Sequence, residues 1–232
     1  MLPGTKSKVV EDIHKGDYFG YANIVASGIE EALSTHADHF NTNYAYSIAS
    51  YVKGAVFLHQ LQGIIGKEAF DKGMLTYYDT WKFKHPNAND FIRVMEKESG
   101  LELDWYREYW VNSTHTIDYG IKNVEKAGRK TTKITLEKIG RMPMALDVLI
   151  IHDGGKQMVA HIPLQMMRGA KSQDSMIMLK GRDFKVMEDW PWVNPNYEFE
   201  IPCMLKEVEQ IIIDPTWRMA DIERGNNEWN SN

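Results

Sequence analysis

The order of hydrophobic and polar positions divides the chain into two parts. From about residue 44 to residue 111, apolar side chains recur at the three- and four-residue spacing of helices. After Gly120 the spacing changes to the alternation that is typical of strands. The pattern therefore predicts an α+β protein, with a helical part over residues 1–120 and an antiparallel β-sandwich over residues 121–232.

The longest predicted helix covers residues 44–65 and is apolar around most of its circumference. A helix of this kind is normally buried inside a domain. Its only Lys, Arg, Asp or Glu residue is Lys53, and the adjacent Gly54 would let a neighbouring backbone approach closely. Gly66 follows the last apolar residue and predicts the end of the helix.

Shorter helices and strands follow along the chain. Helical spacing predicts three more helices, over residues 67–82, 90–99 and 103–111. Asn89 is the expected N-cap of the second of these. Alternation predicts five strands, over residues 132–137, 144–151, 157–163, 197–201 and 207–213. The sequence Asp153-Gly154-Gly155 predicts a tight hairpin turn between two of them.

Composition and charge exclude several classes of protein and site. The chain has 232 residues, with 27 basic and 32 acidic side chains and a net charge of −5. This balance gives no basic surface of the kind that binds nucleic acid, so no nucleic-acid partner is expected. No apolar run approaches the roughly 20 residues that span a bilayer. The single cysteine, Cys203, excludes an internal disulfide and a cysteine-rich zinc site.

Common catalytic motifs are absent, among them G-x-G-x-x-G, the P-loop, G-x-S-x-G and H-E-x-x-H. His36 and His39 are spaced so that they could share a metal ion on a helix. The sequence places no third ligand near them, so solvated histidines are favoured and no metal ligand is predicted. His59 is expected to be a hydrogen-bonded core histidine, whereas His152 and His161 are expected to face solvent.

Two tryptophans stand close together in the β part, in the sequence Trp190-Pro191-Trp192. Such a pair could form a platform on which a carbohydrate stacks, and a sugar-binding sandwich attached to a helical regulator would then be a possible function. Rigid packing at the edge of the domain is the favoured interpretation.

A series of short motifs resembles the gluzincin aminopeptidases, the family that includes membrane alanyl aminopeptidase and leukotriene hydrolase. In chain order the motifs are Tyr51-Val52-Lys53-Gly54-Ala55, Ile65-Gly66-Lys67-Glu68-Ala69-Phe70, Asn87-Ala88-Asn89-Asp90-Phe91, Leu103-Asp104-Trp105-Tyr106 with Tyr109-Trp110, and Ile213-Asp214-Pro215 followed by Asn226-Asn227-Glu228-Trp229. Their order matches the family, and the resemblance extends from about residue 40 to the C-terminus. It implies the helical C-terminal half of a thermolysin-like catalytic domain, followed by a β-sandwich.

The resemblance also implies a function and one catalytic residue. The function is that of a zinc-dependent aminopeptidase, a hydrolase that removes N-terminal residues from peptides. Tyr51 takes the position of the family's catalytic tyrosine. There its phenol, held on a rigid buried helix, would donate a hydrogen bond to the oxyanion that forms during peptide hydrolysis.

The zinc-binding part of the family pattern is missing from the sequence. By the resemblance, the H-E-x-x-H helix, a more distant glutamate and a G-x-M-E-N segment should all lie before residue 1. A site of two histidines and one carboxylate needs all three ligands. The chain is therefore expected to bind no catalytic zinc and to be inactive alone, as a C-terminal fragment whose partner is the N-terminal half of the catalytic domain. Exposed apolar faces would favour self-association. The alternative is a helical and β-sandwich binding module without catalytic function.

Overall fold

The computed structural model describes residues 14–173 and 182–231, and it has the α+β architecture that the sequence pattern predicts. Helices occupy the chain as far as Asn112, and the first strand begins at Tyr119. Within the described residues, no helix combines the length and the apolar character needed to cross a bilayer. The division into two domains near residue 120 stays a prediction.

Helices make up the first part of the described chain. Their bounds are α1 (Lys15–Ser27), α2 (Asn43–Ser47), α3 (Gly54–Ile65), α4 (Lys67–Trp81), α5 (Ala88–Ser99) and α6 (Asp104–Asn112). A π-helical segment, Ile48–Lys53, joins α2 to α3. The helix predicted over residues 44–65 therefore exists, but one wider turn interrupts it.

Only the second half of this long helix is buried as expected. α3 carries buried apolar side chains along its length: Val56, Phe57, Leu61, Ile64 and Ile65. In the turns before it, Tyr44, Tyr46 and Tyr51 are exposed. The first half is buried on one face only, at Ala45, Ala49 and Lys53. The prediction of a helix buried on most of its circumference was thus wrong there, because an apolar circumference does not show which faces have a neighbour to pack against.

Two local predictions in the helical part were wrong. The N-cap of α5 is Asn87 rather than Asn89: its Oδ1 accepts from the backbone N–H of Asn89 at 2.8 Å and of Asp90 at 3.3 Å. The Asp90 carboxylate accepts in return from Asn87 N at 2.9 Å, which completes a capping box. At Gly54, the nearest atom to an added Cβ would be the carbonyl oxygen of Ala49 in the same long helix, at 3.9 Å, and no other element in residues 14–173 and 182–231 comes within 4 Å of that Cβ position.

The β part contains two sheets. The strands are β1 (Tyr119–Lys126), β2 (Thr132–Lys138), β3 (Leu146–His152), β4 (Gln157–Ile162), β5 (Asp183–Val186), β6 (Asn196–Ile201), β7 (Val208–Ile213) and β8 (Glu228–Asn230). One sheet has the order β1-β2-β6 and the other β5-β4-β3-β7-β8. All neighbouring strands are antiparallel except β4 and β5. The turn between β3 and β4 is the predicted one, with Gly154 and Gly155 at φ 77° and 78°.

The three strands that the sequence pattern did not predict share one property. β1, β5 and β8 all lie at an edge of their sheet. Their exposed positions outnumber the buried ones, and neither β5 nor β8 has a fully buried residue. Edge strands are commonly polar, because polar side chains there discourage pairing with other molecules. The alternation that marks a half-buried strand is weak in such segments.

One hydrophobic core serves both parts of the chain. Its buried side chains come from helices and from both sheets, for example Leu61, Trp110, Ile134 and Val148. One polar group inside it joins two helices: the Tyr106 hydroxyl, in α6, donates to the carbonyl oxygen of Phe57, in α3, at 2.6 Å. The helical part and the sandwich therefore stabilise each other by burying apolar surface in common.

Candidate functional site

Tyr51 lies in the π-helical segment Ile48–Lys53 and points outward. Its side chain is 73% exposed, and within the described residues its hydroxyl has no hydrogen-bond partner. The expectation of a catalytic phenol on a buried helix was therefore wrong about burial. Single π-helical turns often occur at functional sites, because they change the direction in which side chains project.

The start of this helical region is fixed by a side-chain cap. Thr42 precedes α2, and its hydroxyl oxygen accepts a hydrogen bond from the backbone N–H of Ala45 at 3.0 Å. Such a cap satisfies one of the N–H groups that a helix leaves without a partner in its first turn. The chain thus enters the π-helical segment from an ordered turn.

The inner face of the same segment carries a buried ion pair. Lys53 is 1% exposed, and its Nζ lies 2.6 Å from Oε1 of Glu30, whose side chain is 7% exposed. The ammonium group also donates to the carbonyl oxygen of Ser113 at 3.1 Å. Burial lowers the pKa of Lys53, and the Glu30 carboxylate offsets part of that effect. One side chain therefore links the π-helical segment to the chain after α1 and to the end of α6.

α1 packs closely against this segment. A Cβ placed on Gly20 would lie 3.1 Å from Cγ1 of Val52, so a larger residue at position 20 would press on Val52. Two residues before Gly20, the hydroxyl of Tyr18 donates to the backbone carbonyl of Arg218, which ties α1 to the segment after β7. Contacts from α1 thus reach both the π-helical turn and the β part.

The described residues do not provide a zinc site. The rings of His36 and His39 are 5.3 Å apart, and both side chains are exposed. In residues 14–173 and 182–231, no group of three or more His, Cys, Asp or Glu side chains is arranged to hold a metal ion. We therefore assign no metal ligand to these residues. His59 is half-buried, with its ring against that of His14.

His161 is buried, contrary to the expectation that it faces solvent. It is 1% exposed, and its Nδ1 lies 2.8 Å from Oδ1 of Asp147. Lys171, equally buried, donates to Oδ2 of Asp147 at 2.7 Å and to the carbonyl oxygen of Gly63 at 2.6 Å. Burial raises the pKa of Asp147, but Lys171 and His161 together hold it well below its usual range. His152, which was also expected to face solvent, is half-buried.

This network around Asp147 has a structural role. Asp147 and His161 face each other across the β3–β4 pair, and Lys171 connects them to the end of α3. The adjoining cavity measures about 30 Å³, which is room for about one water molecule. A peptide cannot enter a space of that size, so we assign the network to the joining of the helical part and the sandwich.

The two tryptophans of the Trp190-Pro191-Trp192 sequence do not form a shared platform. Trp190 is buried, stacked on Tyr197 with ring centroids 5.2 Å apart. Its indole N–H donates to the carbonyl oxygen of Asn194 at 3.0 Å. Only Trp192 has an exposed ring. The structure therefore supports the packing interpretation for this motif.

Comparison with known proteins places part of the chain in a family. A sequence model described as the peptidase family M1 domain matches residues 10–110. Aminopeptidase N of Haemophilus influenzae is 27% identical over 131 residues, which cover 51% of this chain and 15% of the relative. Glutamyl aminopeptidase of Sus scrofa is 34% identical over 76 residues, covering 33% of this chain and 8% of the relative. The chain thus spans only a small part of the length of these relatives.

A solved structure supports the same assignment at the level of the fold. Aminopeptidase A of Legionella pneumophila, crystallised in complex with aspartic acid, matches 83% of this chain and 19% of its own chain, with a TM-score of 0.50 and 13% identity. At this identity the match shows a similar fold and nothing about activity. Taken with the family match and the curated relatives, it shows that residues 10–110 are similar to the peptidase family M1 domain and that the chain has a fold like that of an aminopeptidase, as its motifs predict.

Proposed function

We propose that the chain forms part of a zinc-dependent aminopeptidase that hydrolyses N-terminal residues of peptides, with Tyr51 as a catalytic hydrogen-bond donor. The zinc ligands and the groups that hold the amino terminus of the substrate would come from polypeptide outside the described residues, from the N-terminal half of the catalytic domain. On this proposal the chain has no peptidase activity by itself.

The exposed phenol of Tyr51 is the observation that carries this proposal. It lies inside the region that matches the M1 family, within the Tyr51-Val52-Lys53-Gly54-Ala55 motif. The side chain of Tyr51 is 73% exposed, so its hydroxyl can reach a substrate that lies outside the described residues. A donor held in place before the reaction can stabilise negative charge on the carbonyl oxygen of the scissile peptide as that charge develops.

The first test is hydrolysis of an aminoacyl p-nitroanilide. We expect the chain alone to show no turnover, with or without added zinc. Activity should appear when the chain is joined to, or mixed with, the polypeptide that carries the H-E-x-x-H segment. Release of nitroaniline measures this directly.

Two results would contradict the proposal in different ways. Zinc-dependent turnover by the chain alone would mean that it holds its own metal, and loss of that turnover in His36→Ala and His39→Ala would identify the ligands. No turnover in the joined, zinc-loaded polypeptide would instead favour the non-catalytic binding module.

We also expect the isolated chain to self-associate. Large apolar side chains are exposed in the helical part: Phe19, Ile29, Tyr44, Leu75, Tyr78 and Phe83. Leu75 and Tyr78 are three residues apart in α4 and so lie on one helix face. Sedimentation velocity should show dimers or larger species as the concentration rises, and Leu75→Glu should reduce them more than the control Lys84→Glu. A strictly monomeric chain would contradict this expectation.

A further inference from the structure

We propose that Lys53 is a positioning residue for Tyr51, and that its buried ion pair with Glu30 holds the π-helical turn in the form that presents the phenol. This inference rests on the proposed function, because it assumes that the Tyr51 hydroxyl acts on the substrate. Lys53 itself makes no contact with the reacting atoms in this scheme.

The geometry of one helical turn connects the two residues. Side chains two positions apart in a helix project to nearly opposite sides. Tyr51 is 73% exposed, whereas Lys53 is 1% exposed. The turn therefore has an outer face that carries the phenol and an inner face that carries a fixed cation, so a rotation of the inner face would move the phenol.

The inner face is fixed by groups from distant parts of the sequence. The Lys53 ammonium has three N–H donors, and it reaches Glu30 Oε1 at 2.6 Å and the Ser113 carbonyl oxygen at 3.1 Å. Glu30 follows α1, and Ser113 follows α6. Three segments of the chain thus meet at the Lys53 ammonium group. On this proposal their contacts hold the Ile48–Lys53 turn at one distance from α1 and α6 and in one rotation about its axis.

The energetics favour a positional role over a purely stabilising one. Removing a lysine and a glutamate from water costs several kcal/mol per ion, and a hydrophobic pair of similar size often gives equal or greater stability. A π-helical turn is rare and is commonly found where the direction of a side chain matters. The ion pair beneath the Ile48–Lys53 turn supplies a buried charge contact that would be lost if the turn moved away from Glu30.

A second buried pair in the same chain gives a matched comparison. The side chain of Lys171 is also 1% exposed, and its Nζ lies 2.7 Å from Oδ2 of Asp147. It joins the sandwich to α3 and does not contact the π-helical segment. Lys171→Met therefore removes an equally buried ammonium group without touching the turn that carries Tyr51.

The test is a double-mutant cycle in the zinc-loaded polypeptide that contains this chain together with the H-E-x-x-H segment. We expect Lys53→Met to lower kcat about tenfold with little change in KM, since a small misplacement of a catalytic group is costly. In the Tyr51→Phe background the same change should alter kcat by less than about twofold, because residues that act as a unit are not additive. Lys171→Met should lower the melting temperature and leave kcat unchanged.

A measurement on the chain alone provides a readout besides activity. Amide hydrogen exchange over residues 48–53 should be faster in Lys53→Met than in Lys171→Met, because only the first variant releases the turn. Glu30→Gln serves as a second variant if Lys53→Met does not fold. It keeps an oxygen acceptor for Lys53 and should give a smaller loss of kcat and a smaller increase in exchange.

The outcomes separate this inference from the proposed function. If Tyr51→Phe leaves kcat unchanged, the proposed function fails and the positioning role fails with it. If Tyr51→Phe lowers kcat but Lys53→Met has the same effect in both backgrounds, the positioning role is overturned and the proposed function stands. Unchanged exchange over residues 48–53 would also overturn the positioning role.

Discussion

In the zinc-loaded polypeptide, Tyr51→Phe is expected to lower kcat about 100-fold, which corresponds to ~3 kcal/mol of transition-state stabilisation. The substitution removes one hydroxyl and leaves the ring in place. The lost hydrogen bond would form chiefly in the transition state, where the carbonyl oxygen carries negative charge. kcat and kcat/KM should therefore fall together, while KM changes little.

The position of Tyr51 allows an effect on activity to be separated from an effect on stability. Within the described residues its hydroxyl has no partner and the side chain is exposed, so its removal should leave the melting temperature unchanged. Tyr44→Phe is the matched control, because Tyr44 is also exposed and lies in α2, just before the π-helical segment. Equal activity of Tyr51→Phe and Tyr44→Phe would contradict the role assigned to Tyr51.

Asp147→Ala is expected to lower the free energy of unfolding of the chain by about 3 kcal/mol. The carboxylate is the common partner of Lys171 and His161, and both of those side chains are 1% exposed. Without it, the one hydrogen-bond acceptor that Lys171 keeps among residues 14–173 and 182–231 is the carbonyl oxygen of Gly63. The loss is large because a buried cation remains without its counter-ion. Urea denaturation followed by tryptophan fluorescence measures it.

Two further variants distinguish a lost charge from a lost contact. Asp147→Asn keeps a hydrogen-bond acceptor and should cost less than Asp147→Ala. Asp147→Leu combined with Lys171→Met replaces the ion pair by apolar side chains and should recover much of the stability, since such replacements are often neutral. A loss below about 1 kcal/mol for Asp147→Ala, which is typical of exposed pairs, would show that the network contributes little.

The pairing of Asp147 with His161 can be inferred from the sequence, although no motif at either residue indicates it. The predicted turn at Asp153-Gly154-Gly155 fixes the register of the hairpin, and that register places Asp147 opposite His161. The pairing could therefore have been inferred from the turn. The contact between Lys171 and Asp147 could not have been inferred in this way. Lys171 lies in the chain beyond β4, and its distance to Asp147 depends on the path of that segment in the folded protein.

At the candidate site, too, part of the arrangement can be predicted from the sequence and part depends on the tertiary structure. The motif that contains Tyr51 and Lys53 is visible in the sequence, and it led to the family. The partner of Lys53 is Glu30, which nothing in the local pattern distinguishes from its neighbour Glu31. The choice between them is made by the packing of the chain after α1, which brings Glu30 to the inner face of the turn.

The sequence by itself determined the helices from residue 44 to residue 112, five of the eight described strands, the hairpin turn and the family motifs. These are properties of neighbouring residues, and spacing, turn-forming residues and caps express them locally. The tertiary structure alone decided that Tyr51 is exposed, that Lys53 is buried against Glu30 and that His161 is buried against Asp147. Burial and ion pairing depend on which distant segment covers a side chain, and periodicity contains no information about that neighbour.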